Sequence, residues 1–362
     1  MIRVGLLGAG MIATTATGYL PGLSLLANRC EVVAIASRTR ASAERVAASY
    51  GIVRVHDDLE SMLRDDQLDV IVNCTPIGVH AETSLAIVRA GVHLVSEKPL
   101  ASTAVDAREI LAAAQTSGSR IVVAPSRMLE PSRLRAQRLV ESGSIGQVLS
   151  ARFRVSHAGP AGMPWPADPR PAYAADAGPL NDLAPYAVEQ VLGLIGPIRK
   201  VFAMSATSRP RFPAYGNGPF GGVEVAVDSD DTVSLVLEAG DRAIVTVESS
   251  FGPVASRAPA GEIFGTDGTI ALYTRYGNER GPLVETHHRG SAGWVDPTTL
   301  TDLDAHERMR ELGRASLVAH LLDALEYDEP LVADGSTAQQ IVAVLEAAHR
   351  SAVTGRSEHP RV

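Results

Sequence analysis

The sequence has 362 residues and a net charge of −8, with 45% hydrophobic and 20% charged residues. This length exceeds one ordinary hydrophobic core, so we expect two domains. The acidic balance provides no basic surface for nucleic acid, and no apolar run is long enough to span a bilayer, so neither nucleic acid nor a membrane is an expected partner.

A glycine-rich turn follows the first strand-like segment. Residues 2–7 are almost continuously apolar and lead into Gly8-Ala9-Gly10-Met11-Ile12-Ala13, a G-x-G-x-x-A pattern that precedes a helical stretch. Gly8 permits a tight turn, and Gly10 lets the backbone approach a pyrophosphate at a helix N-terminus. We therefore predict a nicotinamide dinucleotide site, with an ordinary glycine turn as the alternative. The residues of this turn predicted to bind the cofactor are Gly8, Gly10, Met11 and Ile12.

Strand-like and helical segments alternate through the first 125 residues. After the glycine turn, strands are predicted at 32–36, 70–74, 92–96 and 121–124. Helices are predicted at 42–50, 80–90 and 105–114, and each is followed by a glycine that can end it. Repeated β-α-β units with fully apolar strands predict a doubly wound parallel sheet covered on both faces. Residues 1–125 are therefore predicted to form a Rossmann dinucleotide-binding domain.

The pattern changes from Gly146 onward to segments in which apolar and polar residues alternate. Strands are predicted at 148–155, 233–238, 242–250, 262–264 and 269–273, with hairpin turns at Gly240-Asp241 and Asp267-Gly268. Helices are predicted at 181–194, 306–326 and 337–352. Residues 126–362 are therefore predicted to form an α+β substrate-binding and oligomerisation domain with a large, mostly antiparallel open sheet, and the closing helix 337–352 is expected to pack back on the first domain.

Two long segments interrupt this second part of the sequence. Residues 158–177 are rich in proline, glycine and alanine, and residues 208–222 contain three prolines and three aromatic residues. Both are too long for simple connections, so they are candidates for lids or rims of a substrate pocket. Surface decoration and an oligomer contact remain the alternatives.

Motifs spread over nearly the whole chain resemble those of the Gfo/Idh/MocA oxidoreductases, the family of glucose-fructose oxidoreductase and inositol dehydrogenase. The matching motifs are Gly8–Ala13, Cys74-Thr75-Pro76 with His80 four positions beyond the proline, Glu97-Lys98-Pro99, Ser144-Ile145-Gly146, Gly178–Tyr186 and Glu346–Ser351. The resemblance implies NAD(P)-dependent interconversion of a hydroxyl and a ketone or aldehyde on a sugar, polyol or sugar derivative. It also adds five residues to the predicted cofactor site: Thr75, Pro76, His80, Glu97 and Lys98.

Hydride transfer to or from a carbinol carbon requires a proton to move on the oxygen. Lys98 follows a strand, at the sheet edge where doubly wound folds bind ligands, and its charge can stabilise an alkoxide and lower the pKa of a neighbouring phenol. Asp182 and Tyr186 are four residues apart and would face one way on a helix. We predict that Lys98, Asp182 and Tyr186 are catalytic, although a surface lysine, a helix-terminal charge and a core tyrosine are the structural alternatives.

Tyr186 departs from the commonest family pattern, which has histidine at this position. A phenol has an unperturbed pKa of about 10. Lys98 must therefore lower the pKa of Tyr186, or Tyr186 works mainly as an acid. This difference favours carbonyl reduction as the direction of the reaction.

The residues after the second strand predict which dinucleotide is preferred. Sites that prefer NAD place an acidic residue there to accept hydrogen bonds from the ribose, whereas this chain has Ser37, Arg38, Thr39 and Arg40. A hydroxyl and two guanidinium groups suit a 2′-phosphate. Ser37, Arg38 and Arg40 therefore predict NADP as the preferred cofactor, with NAD as the alternative and a solvated helix-entry turn as the structural explanation.

Two other functions remain open at this point: an NAD-dependent glycoside hydrolase of the same fold, and a non-catalytic nucleotide-binding regulator. The presence of Lys98, Asp182 and Tyr186 argues against the regulator. The sequence does not name the substrate. Its candidate binding residues are Arg127, His157, Trp165 and Glu189.

Assembly and location complete the expectations. A large one-faced sheet needs its other face covered, and sheets pack together across subunits in the family, so we expect a homodimer or homotetramer. Cys30 and Cys74 fit no metal or redox spacing, which indicates buried thiols, no metal site and a reducing compartment. The first strand begins at residue 2 and leaves no room for a signal peptide, so the expected location is the cytoplasm.

Overall fold

A computed structural model describes residues 1–65, 67–125, 127–274 and 282–362. The chain divides into two compact units. The first contains residues 1–130, 303–342 and 362, and the second contains residues 131–302 and 343–361. The first unit therefore includes residues 303–342 from late in the chain. The bounds 1–125 and 126–362 of the functional domains stay a prediction.

The described strands form a parallel sheet, a small hairpin and a mostly antiparallel sheet, which confirms the predicted fold class. In chain order they are β1 Ile2–Leu7, β2 Cys30–Ala36, β3 Arg54–His56, β4 Val70–Asn73, β5 His93–Ser96, β6 Ile121–Val123, β7 Val148–Ser156, β8 Ile198–Ala206, β9 Arg211–Pro213, β10 Glu224–Ala226, β11 Thr232–Ala239, β12 Ala243–Ser250, β13 Gly261–Gly265, β14 Gly268–Leu272 and β15 Val284–His288.

The described helices vary widely in length. In chain order they are α1 Met11–Thr14, α2 Tyr19–Ser24, α3 Arg40–Tyr50, α4 Leu59–Asp65, α5 His80–Arg89, α6 Ala104–Ser117, α7 Pro131–Glu141, α8 Gly178–Asp182, α9 Ala184–Leu194, α10 Leu300–Leu312, α11 Ala315–Tyr327 and α12 Gly335–Thr354. No helix in the described part of the chain has both the length and the apolar character needed to cross a bilayer.

The sheet of the first unit has the strand order β3-β2-β1-β4-β5-β6, and all of its pairings are parallel. The order reverses between β1 and β4, and doubly wound folds bind their ligands in the crevice at this reversal. Leu6 of β1 and Val72 of β4 are fully buried in one apolar cluster, which also contains Leu321 and Leu322 of α11. The late helix α11 therefore completes the core around the predicted dinucleotide-binding edge.

The sheet of the second unit has the order β15-β14-β13-β7-β12-β11-β8, with one parallel pairing, between β7 and β12. The hairpins β11–β12 and β13–β14 turn at the predicted Gly240-Asp241 and Asp267-Gly268 pairs. Helix α9 packs on β7 and β12. Five large apolar side chains of this sheet are exposed: Leu149, Phe202, Met204, Val236 and Ile244.

The two long segments of the second unit pack together. Strands β9 and β10 pair, and the buried Tyr173 packs edge-on against Phe212, with ring centroids 5.7 Å apart. The Ala161 N–H donates to the Tyr173 hydroxyl at 3.1 Å, and the Tyr215 N–H donates to the Ala161 carbonyl at 2.7 Å. The segments 158–177 and 208–222 therefore belong to one folded substructure with a small apolar cluster of its own.

Candidate functional site

The glycine turn after β1 has the backbone geometry that the sequence motif requires. Gly8 has φ +107°, and a Cβ at this position would lie 2.7 Å from the carbonyl oxygen of Cys74. A Cβ at Gly10, in contrast, would meet no described atom within 4 Å. Ala13 is completely buried, which lets α1 pack closely on the sheet. A conformation restricted to glycine beside open space fits the approach of a pyrophosphate.

The predicted phosphate contacts begin helix α1. Gly10 is the residue before the helix, and its carbonyl accepts from the Ala13 N–H at 3.1 Å. Met11 and Ile12 are the first two helical residues, and the first N–H groups of a helix lack acceptors within the helix. These N–H groups are the donors that would hold a dinucleotide phosphate.

The three residues after β2 that are predicted to bind a 2′-phosphate have different surroundings. Ser37 is half-buried and Arg38 is exposed. Arg40, however, is ion-paired: its Nε lies 2.9 Å from Glu44 Oε1, and its Nη1 lies 2.8 Å from Asp57 Oδ1. Two carboxylates therefore compete with any phosphate for Arg40.

Asn73 fixes the loop after β4 that contains Thr75. The Asn73 Oδ1 accepts from the Thr75 N–H at 3.2 Å and from the Thr75 hydroxyl at 2.8 Å. Its Nδ2 donates to Thr83 Oγ1 at 2.9 Å and to Ser84 Oγ at 3.2 Å. Asn73 is completely buried, so it fixes the predicted cofactor loop from the interior of the first unit.

His80 connects two loops of the predicted cofactor site. It is 1% exposed, and its Nδ1 lies 2.7 Å from the Pro99 carbonyl oxygen while its Nε2 lies 2.6 Å from the Thr75 carbonyl oxygen. The sequence predicted His80 as a cofactor contact. In the structure both ring nitrogens face backbone carbonyls, so this side chain joins the Thr75-Pro76 and Lys98-Pro99 segments. Its contact with the cofactor stays a prediction.

Glu97 and Lys98 follow β5 at the carboxyl edge of the parallel sheet. Glu97 is 8% exposed, and its Oε1 accepts from the Tyr19 hydroxyl at 3.2 Å and from Arg314 Nε at 2.8 Å. Lys98 is half-buried, and its peptide bond to Pro99 is cis. Glu97 is thus committed to neighbours inside the first unit.

Asp182 and Tyr186 lie on two helices rather than on the predicted single helix 181–194. Helix α8 ends at Asp182 and α9 begins at Ala184, with Leu183 between them. Pro185 explains the interruption, because it has no N–H to bond to the carbonyl four residues earlier and is tolerated only in a first turn. The argument from i,i+4 spacing on a continuous helix was therefore wrong, although both residues remain half-buried in the second unit.

His157 lies within the electrostatic influence of Asp182. Its Nδ1 accepts from the Gly159 N–H at 2.9 Å, and its ring stacks on Phe251 with centroids 5.6 Å apart. Burial lowers the pKa of His157, and the negative charge of Asp182 opposes that shift. With Nδ1 acting as an acceptor, the neutral ring carries its proton on Nε2.

The other predicted substrate residues have different surroundings. Arg127 belongs to the first unit and pairs with Glu130 at 2.5 Å. Trp165 is half-buried in the segment 158–177, whereas Glu189 of α9 is 2% exposed. A carboxylate this deeply buried belongs to the interior of the second unit. Among the described residues, no group of three or more His, Cys, Asp or Glu side chains could hold a metal ion.

Sequence reasoning missed Tyr19 and Arg314, which hold Glu97, and Asp57, which pairs with Arg40. Arg314 is 217 positions from Glu97, so no local pattern could have connected them. One signal was available for Lys98. The sequence contains two lysines, Lys98 and Lys200, among 33 lysine and arginine residues. An amine can release its proton in a protein and a guanidinium cannot, so this choice of residue is informative.

Comparison with protein families assigns both units. Residues 2–124 match the family described as "Oxidoreductase family, NAD-binding Rossmann fold". Residues 134–271 match the family described as "GFO/IDH/MocA C-terminal domain". The two matches agree with the parallel sheet and with the mostly antiparallel sheet, respectively.

Individual relatives have less than 30% sequence identity to this chain in the two comparisons that follow. The chain is 28% identical to levoglucosan dehydrogenase of Pseudarthrobacter phenanthrenivorans over 75% of this chain and 73% of that protein. It is 27% identical to "D-xylose 1-dehydrogenase (NADP(+)) 2" of Haloferax volcanii over 96% and 97% of the two chains. The structure of a levoglucosan dehydrogenase in complex with NADH and L-sorbose superposes with a TM-score of 0.82 at 23% identity, covering 100% of this chain and 99% of that one. The protein is therefore a member of the Gfo/Idh/MocA family, an oxidoreductase with an NAD-binding Rossmann domain.

Proposed function

We propose that the protein interconverts a hydroxyl and a ketone or aldehyde on a sugar, polyol or sugar derivative, with NAD(P) as its cofactor. The observation that carries this proposal is the Gly8 turn, with its open space at Gly10, at the edge of the family's NAD-binding domain. The named activities of the levoglucosan and D-xylose dehydrogenases support the substrate class. The same relatives favour this function over a glycoside hydrolase or a regulator.

Bound NAD(P) would accept or donate a hydride at its nicotinamide ring. Gly8, Gly10 and the N–H groups of Met11 and Ile12 would hold its pyrophosphate. Lys98 would stabilise negative charge that develops on the reacting oxygen. Tyr186 would move the proton on that oxygen.

His157 is a second candidate for the proton transfer. The observation that favours it is the charge of Asp182, which acts on a half-buried imidazole whose Nδ1 is already fixed by the Gly159 N–H. This arrangement leaves the Nε2 position to exchange a proton. Asp182 would then orient or charge-stabilise His157.

A screen for cofactor reduction tests the function. The purified protein is incubated with NAD⁺ or NADP⁺ and a panel of aldoses, inositols, anhydrosugars and nucleotide sugars, and the reverse reaction is measured with ketosugars and NAD(P)H. We expect saturable turnover with at least one member of the panel. Glycan cleavage without net cofactor reduction would instead assign the hydrolase, and cofactor binding without any turnover would assign the regulator.

The preference for NADP depends on Arg38 more than on Arg40. Arg38→Ala is expected to weaken NADPH binding by about tenfold to a hundredfold, the usual value of a charge-assisted contact, and to leave NADH binding nearly unchanged. Arg40→Ala is expected to have a smaller effect, because Glu44 and Asp57 already engage its guanidinium. Fluorescence titration measures both affinities. If the unaltered protein binds NADH as tightly as NADPH, the proposed preference for NADP is wrong.

We also propose that the exposed face of the second sheet is covered by another copy of the chain. Met204 is 68% exposed, and three more exposed apolar side chains lie on the same face of the sheet: Phe202, Val236 and Ile244. A broad apolar face of this kind is a liability in a monomer. Light scattering at micromolar concentration should give the mass of a homodimer or homotetramer. Met204→Asp should lower that mass, whereas Val353→Asp, at an exposed apolar position on α12, should not. A monomeric mass for the unaltered protein would contradict the proposal.

The cytoplasmic location stays a prediction from the sequence. Fractionation of expressing cells would test it.

A further inference from the structure

The carboxylate next to Lys98 has two donors within the first unit. Glu97 is nearly buried, and a buried carboxylate is costly unless it is paired and hydrogen-bonded. The Tyr19 hydroxyl and Arg314 Nε both donate to its Oε1. Tyr19 itself is completely buried. These three residues form a compact charge-neutral group, which we call the Glu97 cluster.

Two glycines allow Arg314 to reach this group. A Cβ on Gly22 would lie 2.0 Å from the Leu312 carbonyl oxygen, and a Cβ on Gly313 would lie 2.6 Å from the Thr17 carbonyl oxygen. The Arg314 N–H donates to the same Thr17 carbonyl at 3.0 Å. The segments 17–22 and 312–315 therefore approach so closely that a side chain at either glycine would separate them. This close backbone packing positions Arg314 beside Glu97.

Tyr19 and Cys74 are neutral polar groups near Glu97. Burial raises the pKa of Tyr19 well above its ordinary value, and the Glu97 charge raises it further. Burial likewise raises the pKa of the Cys74 thiol, again with a contribution from Glu97. Tyr19 therefore stays protonated and donates its hydrogen bond. The charges in the cluster are those of Glu97 and Arg314, and they oppose each other.

We propose that Arg314 and Tyr19 are positioning residues for Lys98, and that they act by neutralising and holding the Glu97 carboxylate. Lys98 is the next residue in the chain, so the backbone that Glu97 holds in place also places Lys98. Without Arg314, the Glu97 charge would be uncompensated inside the fold and would act on the neighbouring ammonium group. That interaction would favour the protonated amine and draw it away from the reacting oxygen. This inference rests on the proposed function of Lys98.

The small number of lysines makes the proposal directly measurable. Reductive methylation with ¹³C-formaldehyde labels Lys98, Lys200 and the N-terminal amine, and Lys200→Arg identifies the Lys98 signal by difference. We expect Arg314→Gln to raise the titration midpoint of Lys98 by about one pH unit, since a nearby uncompensated carboxylate favours the charged amine. Arg310→Gln is the matched control, because Arg310 pairs with Glu307 on the exposed surface of the neighbouring helix α10.

Two further variants separate the charge effect from loss of structure. Glu97→Gln combined with Arg314→Gln removes both charges, so the Lys98 midpoint should return to that of the unaltered protein. Tyr19→Phe removes one hydrogen bond and keeps the ion pair, so a smaller rise is expected. Tyr19→Phe also tests the proposal if Arg314→Gln does not fold. An unchanged Lys98 midpoint in every folded variant overturns the proposal.

Kinetics provide a second readout. Arg314→Gln should lower kcat by about tenfold or more with a much smaller change in KM, as expected when a residue acts through a catalytic group. Arg314→Lys, which keeps the charge, should recover part of this loss. If the unaltered protein reduces no cofactor with any sugar or polyol, the proposed function fails, whereas the NMR titration still tests the electrostatic effect of Arg314 on Lys98. A normal kcat with a shifted Lys98 midpoint overturns the positioning role.

Discussion

Lys98→Ala is expected to lower kcat by about 10²–10⁴, because it removes both the positive charge near the developing alkoxide and its influence on a neighbouring acid. Lys200→Ala is the matched control, since Lys200 is the second lysine of the sequence and is exposed on β8. It should leave turnover unchanged. Steady-state rates with the best substrate of the panel measure both effects. Near-normal turnover of Lys98→Ala would remove Lys98 from the mechanism.

Lys98→Arg distinguishes the two functions of the amine. Arginine keeps the positive charge but does not release a proton at the pH of the assay. A variant that retains most of the activity would show that charge stabilisation is sufficient. A loss as large as that of Lys98→Ala would show that the shape or proton exchange of the amine is required.

The second large effect is expected for Tyr186→Phe. If the phenol moves the proton, this variant should bind NAD(P)H normally and lose about 10²–10⁴ of its turnover, the usual contribution of general acid–base catalysis. The limb of the pH–rate profile that belongs to Tyr186 should disappear. Asp182→Asn has a different expected effect, because Asp182 can act through His157 or through a substrate hydroxyl and can therefore change KM.

If Tyr186→Phe keeps near-normal turnover and an unchanged limb of the pH–rate profile, His157 becomes the candidate for the proton transfer. The pKa of His157 is lowered by burial, so its neutral form persists to lower pH than that of an exposed histidine. As a general base in alcohol oxidation, neutral His157 would sustain the rate as the pH falls until that lowered pKa is reached. His157→Gln should then abolish this acidic limb, and an unchanged limb in His157→Gln would exclude His157.

Local signals predicted much of the first unit. The G-x-G-x-x-A motif identified β1 and the left-handed Gly8, because the motif itself encodes a turn that only glycine adopts easily. Helix α6 contains the predicted helix 105–114, and its cap is local as well, since the Asp106 N–H donates to Thr103 Oγ1 at 3.1 Å. These features depend on a few consecutive residues, so the sequence is sufficient to find them.

Features that depend on distant residues were not predicted. Strand β3 has three half-buried residues, Arg54–His56, and therefore lacks an apolar pattern. The pairing of Arg40 with Asp57 and that of Glu97 with Arg314 connect segments that meet only after the sheet has formed. Strand β8 was not predicted either, because Val201–Met204 are all apolar and the exposed Phe202 and Met204 hide the alternation of buried and exposed positions.

The assignment of Lys98, Asp182 and Tyr186 as one catalytic group remains a prediction. Lys98 belongs to the first unit, and Asp182 and Tyr186 belong to the second. The spacing of Asp182 and Tyr186 on one continuous helix no longer supports it, because Asp182 ends one helix and Tyr186 lies in the first turn of the next. The variants above therefore test each residue separately.

The most direct test of the central claim follows a deuterium atom from the substrate to the cofactor. The best substrate of the panel is prepared with deuterium on the carbon that carries the reacting hydroxyl, and the reduced cofactor is analysed by mass spectrometry. The proposed hydride transfer predicts one deuterium in each reduced nicotinamide formed by the unaltered protein. Reduced cofactor without the label, or no reduction with any sugar or polyol, would contradict it.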